Sequence, residues 1–163
     1  MAKTTLISSA GNGIVVLRNN LDPLELYPAM AGMLERPTLE IYNQIKVYGT
    51  ATLSSLYVRV PVNTLNQPIS VSVRKNGVTT GLTVSIPAST TGVFTDTTNT
   101  VSLVNGDVIN YIVDNGATTS GEANISIISC LIDGQQQLIA SQNGGDNIQA
   151  GIITRGGVAG AKC

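Results

Sequence analysis

The sequence predicts an all-β protein, an antiparallel sandwich or jelly roll of about eight strands with an extension at each end. Three observations lead to this prediction. Apolar and polar residues alternate with a period of two through the middle of the chain, which is typical of strands with one buried face. Turn signals separate these runs at spacings of about 8 to 12 residues, as in β sandwiches. The two ends of the chain lack this alternation.

The first two predicted strands are "IKVYGTA" and "LSSLYVRVPV", with a very short break between them. In the second strand, Tyr57 and Arg59 alternate with apolar residues. The apolar set, Leu56, Val58 and Val60, is therefore expected to face the core.

A hairpin is predicted next, between "ISVSVRK" and "LTVSI". Asn76-Gly77 separates the two runs, and both residues accept the positive φ that a tight primed turn requires. The returning strand runs from Leu82 to Ile86 and ends before Pro87, which has no N–H for the ladder.

The rest of the alternating region predicts "TGVFTD" as a short or edge strand, followed by "NTVSLV", "VINYIV" and "NISIISCLI". Asn105-Gly106 predicts the turn between the second and third of these runs. In that turn Asp107 is placed to accept hydrogen bonds from backbone N–H groups.

These patterns divide the chain into an N-terminal arm (1–40), a jelly-roll domain (41–133) and a Gly-rich C-terminal arm (134–163). In the first arm, "LDPLELYPAMAGMLERP" predicts a short helical turn that Asp22 caps and Pro23 starts. The second arm is weakly charged, so it either lies on another surface or is a tail without a fixed position. We favour arms that bind a partner through Leu24, Leu26, Tyr27, Leu138, Ile139, Ile152, Ile153 and Arg155.

The composition favours assembly and argues against nucleic acid. Only 12% of the residues are charged and the net charge is -1, so copies of the chain repel one another little. The basic residues form no run that could follow a phosphate backbone. The longest apolar run near the start, Ile14 to Leu17, is too short for a signal peptide or a membrane span. We therefore expect cytoplasmic synthesis without a membrane anchor.

The sequence offers no group suited to catalysis, to a cofactor or to a metal. The absence of histidine removes the common nucleophile pairs and the commonest metal ligand. Cys130 and Cys163 are too few for a disulfide framework or a zinc site, and Cys130 is expected to be buried. Five acidic residues are predicted to serve turns rather than to act as catalytic acids: Asp96, Asp107, Asp114, Glu122 and Asp133. We expect a protein that is not an enzyme.

Two further sets of side chains have predicted environments. Arg59, Arg74 and Lys75 are expected to form a solvated fringe rather than salt bridges at an interface. Four tyrosines are expected to be half-buried strand residues with the hydroxyl at the rim: Tyr42, Tyr48, Tyr57 and Tyr111.

Four stretches carry a resemblance to a known family: "GTATLSSLYVRV", "VRKNGVTTGLTVSI", "TGVFTDTTNTVSLVNGD" and "ISIISCLI". Together they resemble jelly-roll domains of the tumour-necrosis-factor and complement-head type. Such domains occur in bacteriophage virion proteins and in the heads of bacterial collagen-like proteins. The resemblance covers residues 45–132 and implies a homotrimer. The chain has no Gly-X-Y run and has added ends, which favours the phage branch over the collagen-like one.

Within that branch, a small neutral domain with extensions looks like a capsid decoration or cement protein. The resemblance implies a partner, the phage major capsid protein, which it would bind on the outer surface of the head where subunits meet. It also implies synthesis in the host bacterial cytoplasm and a final location on the capsid exterior. The alternative is a receptor-binding or glycan-binding tip domain of a fibre or head fibre.

Overall fold

The computed structural model describes residues 15–18, 25–26, 40–42, 44–114, 118–139 and 152–154. These residues are all-β, with strands, turns and one short 3-10 turn, so the predicted fold class is confirmed. The 3-10 turn is η1 (Glu40–Tyr42). The strands are β1 (Val15–Arg18), β2 (Glu25–Leu26), β3 (Ile45–Lys46), β4 (Ala51–Val60), β5 (Val62–Asn63), β6 (Ile69–Lys75), β7 (Val78–Ile86), β8 (Gly92–Leu103), β9 (Val108–Asp114), β10 (Glu122–Ile125), β11 (Ile127–Ile132), β12 (Gln135–Ile139) and β13 (Ile152–Thr154).

The strands form three antiparallel sheets. One sheet has the order β13-β12-β11-β4-β8, and a three-stranded sheet has the order β1-β10-β5. The remaining sheet has the order β2-β9-β6-β7, with β3 also paired to β9. The chain passes from β7 to β8 in another sheet and then returns, so that β9 lies beside β6.

The core consists of the inward faces that the alternation predicts. Leu56, Val58 and Val60 of β4 are fully buried. The faces predicted for the hairpin strands β6 and β7 are buried as well: Val71, Val73, Leu82, Val84 and Ile86. Complete burial of a large apolar side chain contributes roughly 1.5–3 kcal/mol, so these faces are a main source of stability.

A bulge in β4 explains why the apolar residues on either side of it are both buried. Leu53 and Leu56 are three residues apart, so a regular strand would place them on opposite faces. Against β11, β4 has one extra residue between Ser54 and Tyr57, which pair with Leu131 and Ser129, and Ser55 has a φ of 53°. The extra residue turns both leucines toward the core, and both are fully buried.

Two tight hairpins join neighbouring strands. Asn76 and Gly77 have φ values of 53° and 76°, so the predicted primed turn between β6 and β7 is confirmed. Asp133 and Gly134 have φ values of 49° and 70° and join β11 to β12. Gly134, the first residue of the predicted C-terminal arm, is therefore part of a hairpin turn. The domain boundaries themselves stay a prediction.

Several predictions of local structure were wrong in detail, including the single strand "NISIISCLI", which is interrupted at Ser126. "IKVYGTA" is not one strand, because β3 ends at Lys46 and β4 begins at Ala51. "TGVFTD" and "NTVSLV" belong to a single strand, β8, which continues past a bulge because the carboxylate of Asp96 satisfies the bulge's backbone donors. The predicted helical turn is wrong at Glu25–Leu26, which is strand β2, because the edge of β9 supplies ladder partners there. The other residues of that turn lie outside the described residues.

Candidate functional site

The residues predicted to bind a partner lie in three places. Leu138 is opposite Ile153, and Ile139 is opposite Ile152, in the ladder between β12 and β13. Leu26 lies in β2, opposite Val113 of β9. The structure therefore brings four of these residues together in one two-stranded ribbon. The other three predicted residues, Leu24, Tyr27 and Arg155, lie outside the described residues.

The ribbon extends the sheet beyond β11. β12 pairs with β11 through Gln135 and Gln136. The register of β11 against β4 shifts between Ser129 and Leu131, next to the point where that pairing ends.

A groove lies along one side of the sandwich, between β7 and β8, which are the terminal strands of their sheets. Its volume is about 620 Å³. Neutral polar side chains predominate, and Asp96 is the ionisable residue of the lining: Thr83, Val84, Ser85, Val93, Phe94, Thr95, Asp96, Thr97, Thr98 and Asn99. This arrangement gives an open, uncharged surface next to two sheet edges.

Asp96 joins the two sheets beneath this groove. Its Oδ2 accepts hydrogen bonds from the backbone N–H of Thr83 in β7 at 3.0 Å and from the side chain of Asn99 at 2.9 Å. Its Oδ1 accepts from the backbone N–H groups of Thr98 and Asn99 at 3.0 and 3.1 Å. The carboxylate thus satisfies the donors of the β8 bulge and one donor at the β7 edge.

These bonds keep Asp96 ionised. Burial opposes its ionisation, but hydrogen bonds from the Asn99 side chain and from the N–H groups of Asn99, Thr83 and Thr98 lower its pKa to about 2. All four bonds go to the protein's own groups, which agrees with the structural role predicted for this carboxylate.

A second carboxylate network lies at one end of the sandwich, which we call the turn end. The turn end consists of η1, residues 46–49, residues 74–78 (the ends of β6 and β7 with the turn between them) and the β8–β9 turn (104–107). Asp107 Oδ2 accepts hydrogen bonds from the N–H of Val104 at 2.8 Å and from Lys75 Nζ at 2.9 Å. Asp107 Oδ1 accepts from Asn76 Nδ2 at 2.7 Å. These bonds tie the two turns together.

Further bonds attach the other segments of the turn end to this network. Val47 donates its N–H to the Asp107 carbonyl at 2.7 Å and accepts the N–H of Gly106 at 2.9 Å. Glu40 of η1 contacts Arg74 through both carboxylate oxygens, at 2.6 and 3.1 Å. Arg74 also donates to the carbonyl of Gly77. The turn end is therefore braced from several strands at once.

The solvated fringe predicted for the basic residues was wrong for two of them. The side chain of Arg74 is 15% exposed and that of Lys75 is 29% exposed, and each pairs with a carboxylate of the same chain. The hydrogen bond from the Val104 N–H is the largest cause that lowers the pKa of Asp107 to about 2, followed by those from Asn76 and Lys75. Arg59 is exposed, as predicted.

Large apolar side chains are exposed around these bonds. Ile41, Tyr48, Val78 and Val104 are 75%, 70%, 66% and 53% exposed. Lys46 Nζ lies 5.7 Å from the centre of the Tyr48 ring, within the range of a cation–π contact. The half-buried environment predicted for Tyr48 was therefore wrong, as it was for Tyr111, which is 1% exposed. Tyr57 is half-buried, as predicted. The structure does not describe the side chain of Tyr42.

Cys130 is a buried core thiol, as expected. It is 6% exposed and accepts a hydrogen bond from the Tyr111 hydroxyl at 3.3 Å. Burial raises the pKa of the thiol to about 11, so it stays protonated and unreactive at neutral pH. Cys163 lies outside the described residues.

Comparisons with protein-family models, with curated proteins and with solved structures found no match to this chain. In the part of the chain that the structure describes, we found no group of three or more Cys, Asp or Glu residues arranged to hold a metal ion. The same part contains no helix of the length and apolarity needed to cross a membrane.

Proposed function

We propose that the chain is a non-enzymatic structural protein of a phage virion, a homotrimeric cement protein that binds the outside of the head where major capsid subunits meet. One observation carries this proposal. The described sandwich presents two surfaces of different chemistry, a neutral groove along one side and a braced apolar region at one end. A protein that joins other subunits needs separate surfaces for itself and for its partner.

The strand order supports a jelly roll, which is the fold that the resemblance implies. Only Pro61 separates β4 from β5, and only Ser126 separates β10 from β11. With each of these pairs counted as one strand, one layer has the order β1, β10/β11, β4/β5, β8, with β12 and β13 added beside β11, and the other has the order β2, β9, β6, β7. Two four-stranded layers with Greek-key connections are the arrangement of a jelly roll.

The β7–β8 groove is the surface that best suits contact between copies. Interface cores are depleted of charge, and the one ionisable residue in this lining has its oxygens engaged by the fold itself. Val93 and Phe94 supply apolar area beside the open sheet edges. Copies can therefore meet there without depriving the Asp96 carboxylate of its hydrogen bonds.

Self-association through the groove is tested by introducing one positive charge at either of two positions in β7. Ser85→Arg places it in the groove, and Val78→Arg places it at the turn end, both at exposed positions of the same strand. By light scattering after size exclusion, we expect the wild type and Val78→Arg to have three times the 16.9 kDa chain mass and Ser85→Arg to be monomeric. A monomeric wild type would contradict the trimer.

Shell binding is tested by cosedimentation of the wild-type trimer with emptied heads of the phage that carries the gene. We expect saturable binding, and protection of the heads against disruption by heat. The β12–β13 ribbon supports this role because it carries four apolar residues at the margin of the sandwich. Heads that neither bind the trimer nor gain stability would contradict the proposal.

The groove also supports one alternative, a glycan-binding tip domain. Its hydroxyl and amide groups can exchange hydrogen bonds with a neutral sugar, and Phe94 is its one aromatic side chain. Specific binding to a glycan array, abolished by Ser85→Arg, would favour this alternative over the cement protein.

A further inference from the structure

The exposed apolar residues of the described chain are concentrated at one end. Five large hydrophobic side chains are exposed among the described residues. Four of them, Ile41, Tyr48, Val78 and Val104, belong to the turn end, and the fifth, Val93, lines the groove. An exposed cluster of this kind on a soluble domain marks a surface that contacts another molecule.

The framework beneath this cluster is held in one arrangement. Val104 donates its N–H to Asp107, and Val78 is the ladder partner of Lys75, which also pairs with Asp107. The carbonyl of Val47, the residue before Tyr48, accepts the N–H of Gly106 at 2.9 Å. Because the segments are already ordered, binding through them costs little conformational entropy.

The charges at the turn end cancel with one exception. Glu40 pairs with Arg74, and Asp107 pairs with Lys75. Lys46, in contrast, has no ion pair within the described residues, and its contact there is with the ring of Tyr48. The surface thus combines an aromatic anchor, aliphatic side chains and one uncompensated positive charge.

We infer that the turn end is the surface that docks onto the shell, against a protein patch that is apolar and carries a carboxylate opposite Lys46. This inference rests on the proposed function and adds which surface faces the partner. Tyr48 is the anchor, because a large exposed aromatic residue that becomes buried on binding is a typical interface hot spot. Lys46 supplies charge complementarity, which favours correct orientation and rapid association.

A lipid surface fits these residues less well. Attraction to anionic membranes comes from clusters of about four to eight basic residues. The turn end has one basic residue without a carboxylate partner in the described chain, Lys46. The observations therefore favour a protein partner.

The test measures the affinity of purified trimers for emptied heads by cosedimentation. We expect Tyr48→Ala and Lys46→Glu each to weaken binding by about tenfold or more, as truncation of a hot-spot residue does. Val78→Ala and Val93→Ala form a matched pair, because both residues are exposed valines in strands, one at the turn end and one in the groove. Val78→Ala should weaken binding about threefold, and Val93→Ala by less than twofold, if small apolar truncations act locally.

Each variant is first shown to keep the circular dichroism and the mass of the wild-type trimer, so that a loss of binding is not a loss of folding. Wild-type affinity in Tyr48→Ala and Lys46→Glu would overturn this inference and leave the proposed function standing. If the wild type does not bind the heads, both this inference and the proposed function are wrong. Binding to phosphatidylcholine–phosphatidylglycerol vesicles that Tyr48→Ala abolishes would overturn the protein partner in favour of a membrane.

Discussion

The β7–β8 groove and the turn end each contain a buried carboxylate whose pKa is lowered to about 2, but the two carboxylates stabilise different contacts. Asp96 accepts hydrogen bonds from uncharged groups alone, three of them backbone N–H groups. Asp107 accepts one backbone N–H and pairs with Lys75. The groove therefore joins two sheets through neutral partners, whereas the turn end joins two turns through an ion pair.

This difference leaves two surfaces of different character. Around Asp96 the side chains are hydroxyls and amides beside open sheet edges. Around Asp107 they are exposed apolar groups together with Lys46, which has no ion pair within the described residues. A neutral surface can meet its own copy without repulsion, whereas an apolar surface with one charge selects a complementary partner. Each carboxylate is hydrogen-bonded by groups of the fold itself. The side chains around it therefore determine which partner the surface can bind.

Low pH should have the largest effect, because protonation of Asp96 and Asp107 disrupts the hydrogen-bond networks of both regions. Each carboxylate has a folded pKa of about 2, below its ordinary value of 3.8. Their stabilisation is therefore fully present above pH 4 and is lost as the pH falls toward 2. Urea unfolding at pH 7, 4, 3 and 2 should show a midpoint that falls steeply below pH 4.

The matched control for this acid effect is the double variant Asp96→Asn, Asp107→Asn, in which neither position titrates. Its midpoint should start lower at pH 7 and fall less between pH 4 and pH 2. Parallel curves for the variant and the wild type would mean that other carboxylates cause the acid sensitivity.

Removal of one carboxylate at a time should separate the two regions. Asp96→Ala removes the charged acceptor of three part-buried backbone hydrogen bonds, from the N–H groups of Thr83, Thr98 and Asn99, and we expect it to lower the free energy of unfolding by about 3 kcal/mol. Asp107→Ala should cost less, because Lys75 and the turn around Gly106 can bind water instead. Urea unfolding of both variants at pH 7 measures the difference, and a larger loss for Asp107→Ala would reverse the comparison.

The parts of the fold that depend on neighbouring residues were predictable from the sequence. Period-two alternation identified the buried faces of β4, β6 and β7, and Asn76-Gly77 identified the hairpin, because both signals are local. The bulge at Ser55 was not predictable, since it depends on the packing of both Leu53 and Leu56 in the core. Asp133-Gly134 is also a local hairpin signal, but the Gly-rich sequence after it suggested an arm instead.

The candidate surfaces were less predictable, because they depend on residues that are distant in the chain. Asp96 was recognised as a turn-type residue, but its bond to Thr83 crosses from one sheet to the other. Arg74 was assigned to a solvated fringe because its partner, Glu40, lies 34 residues earlier. The exposure of Tyr48 follows from its position in the short connection between β3 and β4, where the alternation suggested a continuous strand.

The smallest expected effect concerns the ion pair at the rim of the turn end. Glu40→Gln keeps an acceptor for Arg74 but removes the charge, and both side chains are partly exposed, at 20% and 15%. Such a pair contributes about 0.5 kcal/mol, and salt screens it. We expect a loss of that size in urea unfolding at low salt and a smaller loss in about 1 M NaCl. The wild type measured at both salt concentrations is the control for the effect of salt itself. A loss for Glu40→Gln as large as that for Asp96→Ala would show that the turn end depends on this pair as strongly as the groove depends on its carboxylate.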